Sequence, residues 1–205
     1  MRFVPPKSSE QLEIQAVHRI RQRLVSGRTR LVNQIRGLLA EHGVVVARDF
    51  SRIRRALRQV SDSSDKQLGD LFIELVCDVR DELMELDQRI ATYTKRIRNL
   101  FQSNDMCIRI GRIEGIGPIT ATALEAAVGK RGERYLRTLM IHGARAVLRT
   151  AGRKGDTRSR WIEKMRDRRH PNVVAVALAN KNARVVWAIL SGRTVYQPAF
   201  SASEH

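Results

Sequence analysis

At 205 residues the chain can form one domain or two small ones, each able to bury a real core. Only 5% of residues are aromatic, so Leu, Ile, Val and Ala must fill that core, which favours helices over sheets. Lys and Arg outnumber Asp and Glu by 38 to 21, a net charge of +17 whose self-repulsion is best relieved by a polyanion, above all nucleic acid.

From Ser8 and Ser9, a capping pair, to His42 the pattern is helical, and Gly43 ends it. Val17, Leu24, Leu31 and Leu38 recur every seven residues, with Ile14 and Ile35 on the adjoining row, which Arg21 and Arg28 interrupt. A short basic helix, "RDFSRIRRALRQV", follows, and "SDSSD" caps the next. Between Lys66 and Gln102 the series Phe72, Val79, Leu86, Tyr93, Leu100 and Val76, Leu83, Ile90, Ile97 is apolar throughout. Such sustained heptads predict a coiled coil, either an antiparallel hairpin within the chain or a pairing between copies.

After "QSNDM" short helices near 104–110, 118–128, 131–151, 157–168 and 173–191 are separated by glycine turns and by "RRHPNV". The fold class expected is therefore all-α: a long heptad coiled-coil hairpin over 1–103, then a small helical domain over 104–205. Charge follows the same division. Residues 1–58 carry 13 basic and 4 acidic side chains, 59–103 carry 6 and 9, and 104–205 carry 19 and 8. No apolar run approaches the roughly 18 residues of a membrane span, and the start lacks a leader pattern, so a cytoplasmic, nucleoid-associated protein without a membrane partner is expected. Cys77 and Cys107 lie among apolar residues and read as buried reduced thiols.

"GRIEGIGPITATAL" has the form of a helix–hairpin–helix. Gly115 and Gly117 permit positive φ and close approach, Ile116 lies between them, Pro118 suits the first helical position, and Thr120 follows in the first turn. The amides freed at that helix start can face a phosphate, a contact blind to base identity. In "GKRGERYLRTLMIHGARAVLRTAGRK", Lys130, Arg131, Arg134 and Arg137 crowd a helix start, where cations oppose the dipole unless an anion is expected; Leu136, Leu139, Met140 and Ala144 supply the buried stripe. In "HPNVVAVALANKNARVVWAIL", Ala175, Leu178, Ala179, Asn182 and Val186 form a close-packing seam, Asn180, Lys181 and Arg184 point towards nucleic acid, and Trp187 reads as core. Asp78, Asp81, Glu82, Glu85 and Asp87 mostly fall outside the heptad seam, as a solvated face rather than metal ligands. The five histidines show no ligand spacing.

The blocks "IEGIGPITATALEAAVG", "KRGERYLRTLMIHGARAVLR" and "HPNVVAVALANKNARVVWAIL" resemble, in order, the C-terminal half of insertion-sequence transposases of the IS one-ten type, and the opening 43 residues resemble the start of that family's central coiled coil. The resemblance implies a DNA recombinase working with a structured guide RNA. In the family an N-terminal nuclease domain holds Mg²⁺ on four acidic residues, and a C-terminal serine is the nucleophile. Two departures stand out. The chain begins where the nuclease domain would have ended, so no position matches the acidic tetrad. Gly129 is followed at once by Lys130, where the family carries an insert of a few tens of residues with the serine.

The expectation is a DNA-binding member of an insertion-sequence transposition system without its own catalytic residues or cofactor, self-associating or acting beside an intact transposase. The alternatives are a non-enzymatic nucleic-acid-binding module and a coiled-coil assembly protein. Ser159 and Ser191, in the basic C-terminal part, are the serines to examine should chemistry be found.

Overall fold

A computed structural model describes residues 7–47, 49–62, 69–127 and 134–192. They form α1 (Ser9–Glu41), α2 (Phe50–Ser61), α3 (Asp70–Gln102), α4 (Asp105–Gly111), α5 (Pro118–Ala126), α6 (Arg134–Thr150), α7 (Thr157–Arg166) and α8 (Pro171–Leu190). A 3-10 turn at Ala151–Arg153 joins α6 to α7, and no strand occurs among the described residues. The protein is all-α, as its composition and periodicity require. Two compact units divide it: residues 1–17 with 96–205, and residues 18–95.

Helix ends follow from local chemistry. Ser8 and Gln11 form a reciprocal cap: the Ser8 hydroxyl accepts from the Gln11 amide and the Gln11 side chain accepts from the Ser8 amide, both at 3.2 Å. Gly43, at φ 77°, closes α1 with bonds from its own amide to Ala40 O and from the Val44 amide to Leu39 O. Asp49, Asn104, Asp156 and His170 cap α2, α4, α7 and α8 through their side chains. "SDSSD" lies partly outside the described residues.

In the 18–95 unit, Arg21 Nε donates to Thr94 Oγ1 at 2.9 Å, Arg28 Nη1 to Asp87 Oδ1 at 3.0 Å, and His42 stacks on Phe72 with centroids 3.5 Å apart. Numbers rise along α1 as they fall along α3, the order of two helices running in opposite directions. Arg21 and Arg28, which break the apolar row in sequence, are thus polar partners for α3. Leu31, Val32, Ile35 and Leu39 of α1, Ile53, Ala56, Leu57 and Val60 of α2, and Phe72, Val76 and Leu83 of α3 bury one another. Val76, Leu83, Ile90 and Ile97 are buried, whereas Val79, Leu86, Tyr93 and Leu100 are half-buried.

Asp87 receives both Arg28 and Arg54. Burial pushes its carboxyl up, but the hydrogen bonds from Arg54 and Arg28 outweigh it and hold the group below the usual carboxylate range. His18, 4% exposed, lies on the inner side of α1. Burial, helped by the charge of Arg21, pushes its pKa from 6.5 down to about 4. Below pH 6.5 the unfolded chain therefore takes up a proton that the folded chain refuses. Stability is full above that pH and falls as pH drops towards 4, by about 3 kcal/mol in all. Urea melts between pH 7.5 and 4.5 should show this slope, and His18→Gln should flatten it.

In the other unit the core gathers Cys107, Ile110, Ile113, Ile116, Ala121, Met140, Ala144, Ile162, Leu178 and Ile189 among its buried members. Desolvation, then Glu125 and Glu10, raises the Cys107 thiol to about 12, so it is unreactive; Cys77, beside the seam rather than in it, is only half-buried, unlike the expectation. The expectation of no segment apolar enough for a membrane also needs correction. α8, 20 residues long, is apolar enough by length and composition, and one of its faces buries Val174, Ala175, Leu178, Ala179, Asn182, Val186 and Ile189.

Candidate nucleic-acid interface

The Arg112–Gly117 turn connects α4 to α5 and is anchored from below by Ile113 and Ile116, 1% and 3% exposed. Gly115 takes φ 87°, where a side chain would be strained. Its carbonyl lies against α6: a Cβ built on Gly143 would fall 1.8 Å from Gly115 O, and one built on Gly115 would meet Gly143 O at 2.9 Å. Two glycines thus let a turn and a helix touch backbone to backbone.

Polar contacts fix the same turn from α8. Asn182, 2% exposed, donates from Nδ2 to Glu114 O at 3.0 Å and accepts from Arg158 of α7 through Oδ1. Lys154 pairs with the Glu114 carboxylate. A buried amide with both ends satisfied specifies one arrangement of three elements. Gly143, Asn182, Glu114 and Lys154 carry no binding role in the sequence reading. A lone glycine inside "LMIHGARAV", where it costs about 1 kcal/mol against alanine, was the available signal for close approach.

Held in this way, Gly117 presents the start of α5. It is exposed, a Cβ added to it would meet nothing within 4 Å, and no side chain caps the helix there. Its φ of −89° and ψ of −179° are ordinary extended backbone. The positive φ expected of both glycines therefore belongs to Gly115 alone, since a helix-capping residue needs extended geometry. Pro118 occupies the first helical position, as expected. Thr120 and Ile116 are buried and support the turn from inside rather than facing outwards.

On α6, Arg134 and Arg137 are exposed, with Arg145 and Arg149 further along the same helix; Lys130 and Arg131 lie outside the described residues. Arg145 donates to Asn172 Oδ1 at 3.2 Å. On α8, Arg184 is exposed, while the Lys181 ammonium sits 4.6 Å from the centre of the Trp161 ring. Trp187 is not core. It is 67% exposed, because burial of Asn182, Val186 and Ile189 turns position 187 roughly 100° away from position 186.

Ser159 is buried and its hydroxyl donates to Asp156 Oδ2 at 2.9 Å; the Ser191 hydroxyl donates to Trp187 O at 2.7 Å. Among the described residues no group of three or more His, Cys, Asp or Glu side chains could hold a metal ion.

Sequence comparison finds relatives over nearly the whole chain. A protein of Pseudomonas aeruginosa described as a probable family 20 transposase is 41% identical over 233 residues, covering 97% of this chain and 69% of the relative. The transposase for insertion sequence element IS1111A of Coxiella burnetii is 35% identical over 231 residues, 96% of this chain and 64% of the relative. That for element IS1328 of Yersinia enterocolitica is 27% identical, over 96% and 68%. The chain thus spans about two thirds of the length of these relatives. The first two matched spans, 233 and 231 residues, exceed the 205 of the whole chain, so these relatives carry internal residues that it lacks. No family model and no solved structure matches the chain.

Proposed function

Since the chain belongs to the insertion-sequence transposases of the IS one-ten type, we propose that it binds DNA during transposition by holding backbone phosphates at the start of α5 and along the arginines of α6. One observation carries the reading: the exposed, uncapped helix start at Gly117, braced by the Gly115–Gly143 contact in a region of strong positive charge. Amides unpaired at a helix start, with the dipole behind them, favour a phosphate oxygen, and arginines add charge-assisted bonds. A structured guide RNA offers the same phosphate chemistry and is the second partner.

We place the missing internal residues at the Gly129–Lys130 junction, where the family carries its serine. On that reading the chain contacts nucleic acid without carrying the nucleophile, and catalysis is supplied by an intact transposase on the same DNA. The engaged hydroxyls of Ser159 and Ser191 support this, since neither is positioned and activated as a nucleophile requires.

Phosphate neutralisation releases counterions, so affinity for duplex DNA is expected to fall about tenfold or more between roughly 50 and 200 mM salt. Salt-independent affinity would remove the mechanism. The same samples, given Mg²⁺ and supercoiled element-end DNA, are expected to yield no covalent protein–DNA adduct.

A further inference from the structure

Among the described residues of the 96–205 region, the exposed large apolar side chains lie on one stripe of α8. Val173 is 50% exposed, Val176 43% and Trp187 67%, with exposed Asn180 and Ala183 between them. A helix that seals its other face completely does not leave a tryptophan open to water without cost. The surroundings indicate what covers it. From Arg168 to Gly192 the chain holds no acidic residue, but it has Arg168, Arg169, Lys181 and Arg184. Lys181 is already engaged over Trp161, which leaves Arg184, less than one turn before Trp187, as the nearest cation on the helix.

We infer that Trp187 is a stacking platform for an unpaired base of a nucleic-acid strand, with Arg184 taking the neighbouring phosphate. An aromatic face beside a guanidinium is the usual means of holding single strands, tolerant of sequence because every base has a π-face. A second copy of the chain is the wrong occupant: it carries the same +17 charge, and its α8 would bring like charge against like. The inference rests on the nucleic-acid reading above and adds to it an unpaired-strand site on α8, separate from the phosphate site at α5.

The chain has two tryptophans, so Trp161→Phe leaves Trp187 as the sole indole reporter. Titrated at low salt with a single-stranded oligothymidylate, this variant should lose emission as the base stacks, whereas inorganic polyphosphate should bind without quenching. In the otherwise unchanged chain, Trp187→Ala should weaken single-strand binding about tenfold and leave duplex binding nearly intact. Circular dichroism is the check that both variants fold. Oligonucleotide binding, seen by anisotropy, without quenching would overturn the inference and spare the DNA reading. Equal quenching by polyphosphate would also overturn it. A blue shift on concentrating the protein alone would assign the face to a second copy. Failure to bind any nucleic acid would overturn both readings.

Discussion

Gly143→Ala is expected to collapse the helical unit formed with residues 96–205, at a cost above about 3 kcal/mol. The new methyl would stand 1.8 Å from the Gly115 carbonyl oxygen, a backbone atom that no rotamer change can move. Relief would require shifting α6 away from the turn or flipping the turn itself. Either would uncover Ile113 and Ile116 and stretch the Asn182 bond to Glu114 O. A urea or thermal melt followed by circular dichroism should show the transition early or absent. Near-normal stability would mean that the turn and α6 do not touch as described.

Leu83→Asp should be comparably damaging in the 18–95 unit. Leu83 is 2% exposed and sits against α1 and α2, so the substitution removes apolar burial and takes a carboxylate out of water into the apolar seam. The expected loss is about 3 kcal/mol or more. Met84, the next residue of the same helix, is 63% exposed, and Met84→Asp should stay within about 0.5 kcal/mol of the parent. Equal effects at the two positions would show that the seam has been assigned to the wrong face.

The periodic half of the fold was legible before any coordinates. Seven-residue spacing picks out Val76, Leu83, Ile90 and Ile97, all buried, and the small-residue seam of α8 is buried as read. Sequence spacing fails where a partner is distant. Arg21 and Arg28 look like defects in an apolar row until Thr94 and Asp87, 73 and 59 residues away, are found opposite them. The apolar neighbours of Trp187 predict a core position, but helical rotation separates it from them and leaves it exposed. The glycines of the turn at 112–117, with Pro118 after them, are legible as a candidate phosphate site, but what braces the turn is not. Gly143 and Asn182 reach it from helices whose position beside the turn no local pattern encodes.

The central claim is that the start of α5 holds a phosphate, and Gly117→Asp tests it most directly. Aspartate is a favoured capping residue, the backbone there is already extended, and a Cβ has open space. The substitution should therefore leave the melting temperature unchanged or raise it, while its carboxylate occupies the amides and repels the phosphate. Gly155→Asp, also in open space, calibrates the effect of one added negative charge. DNA affinity measured by fluorescence anisotropy at fixed salt should fall about tenfold or more for Gly117→Asp and clearly less for Gly155→Asp. A Gly117→Asp protein that melts like its parent and binds DNA no more weakly than Gly155→Asp would contradict the account.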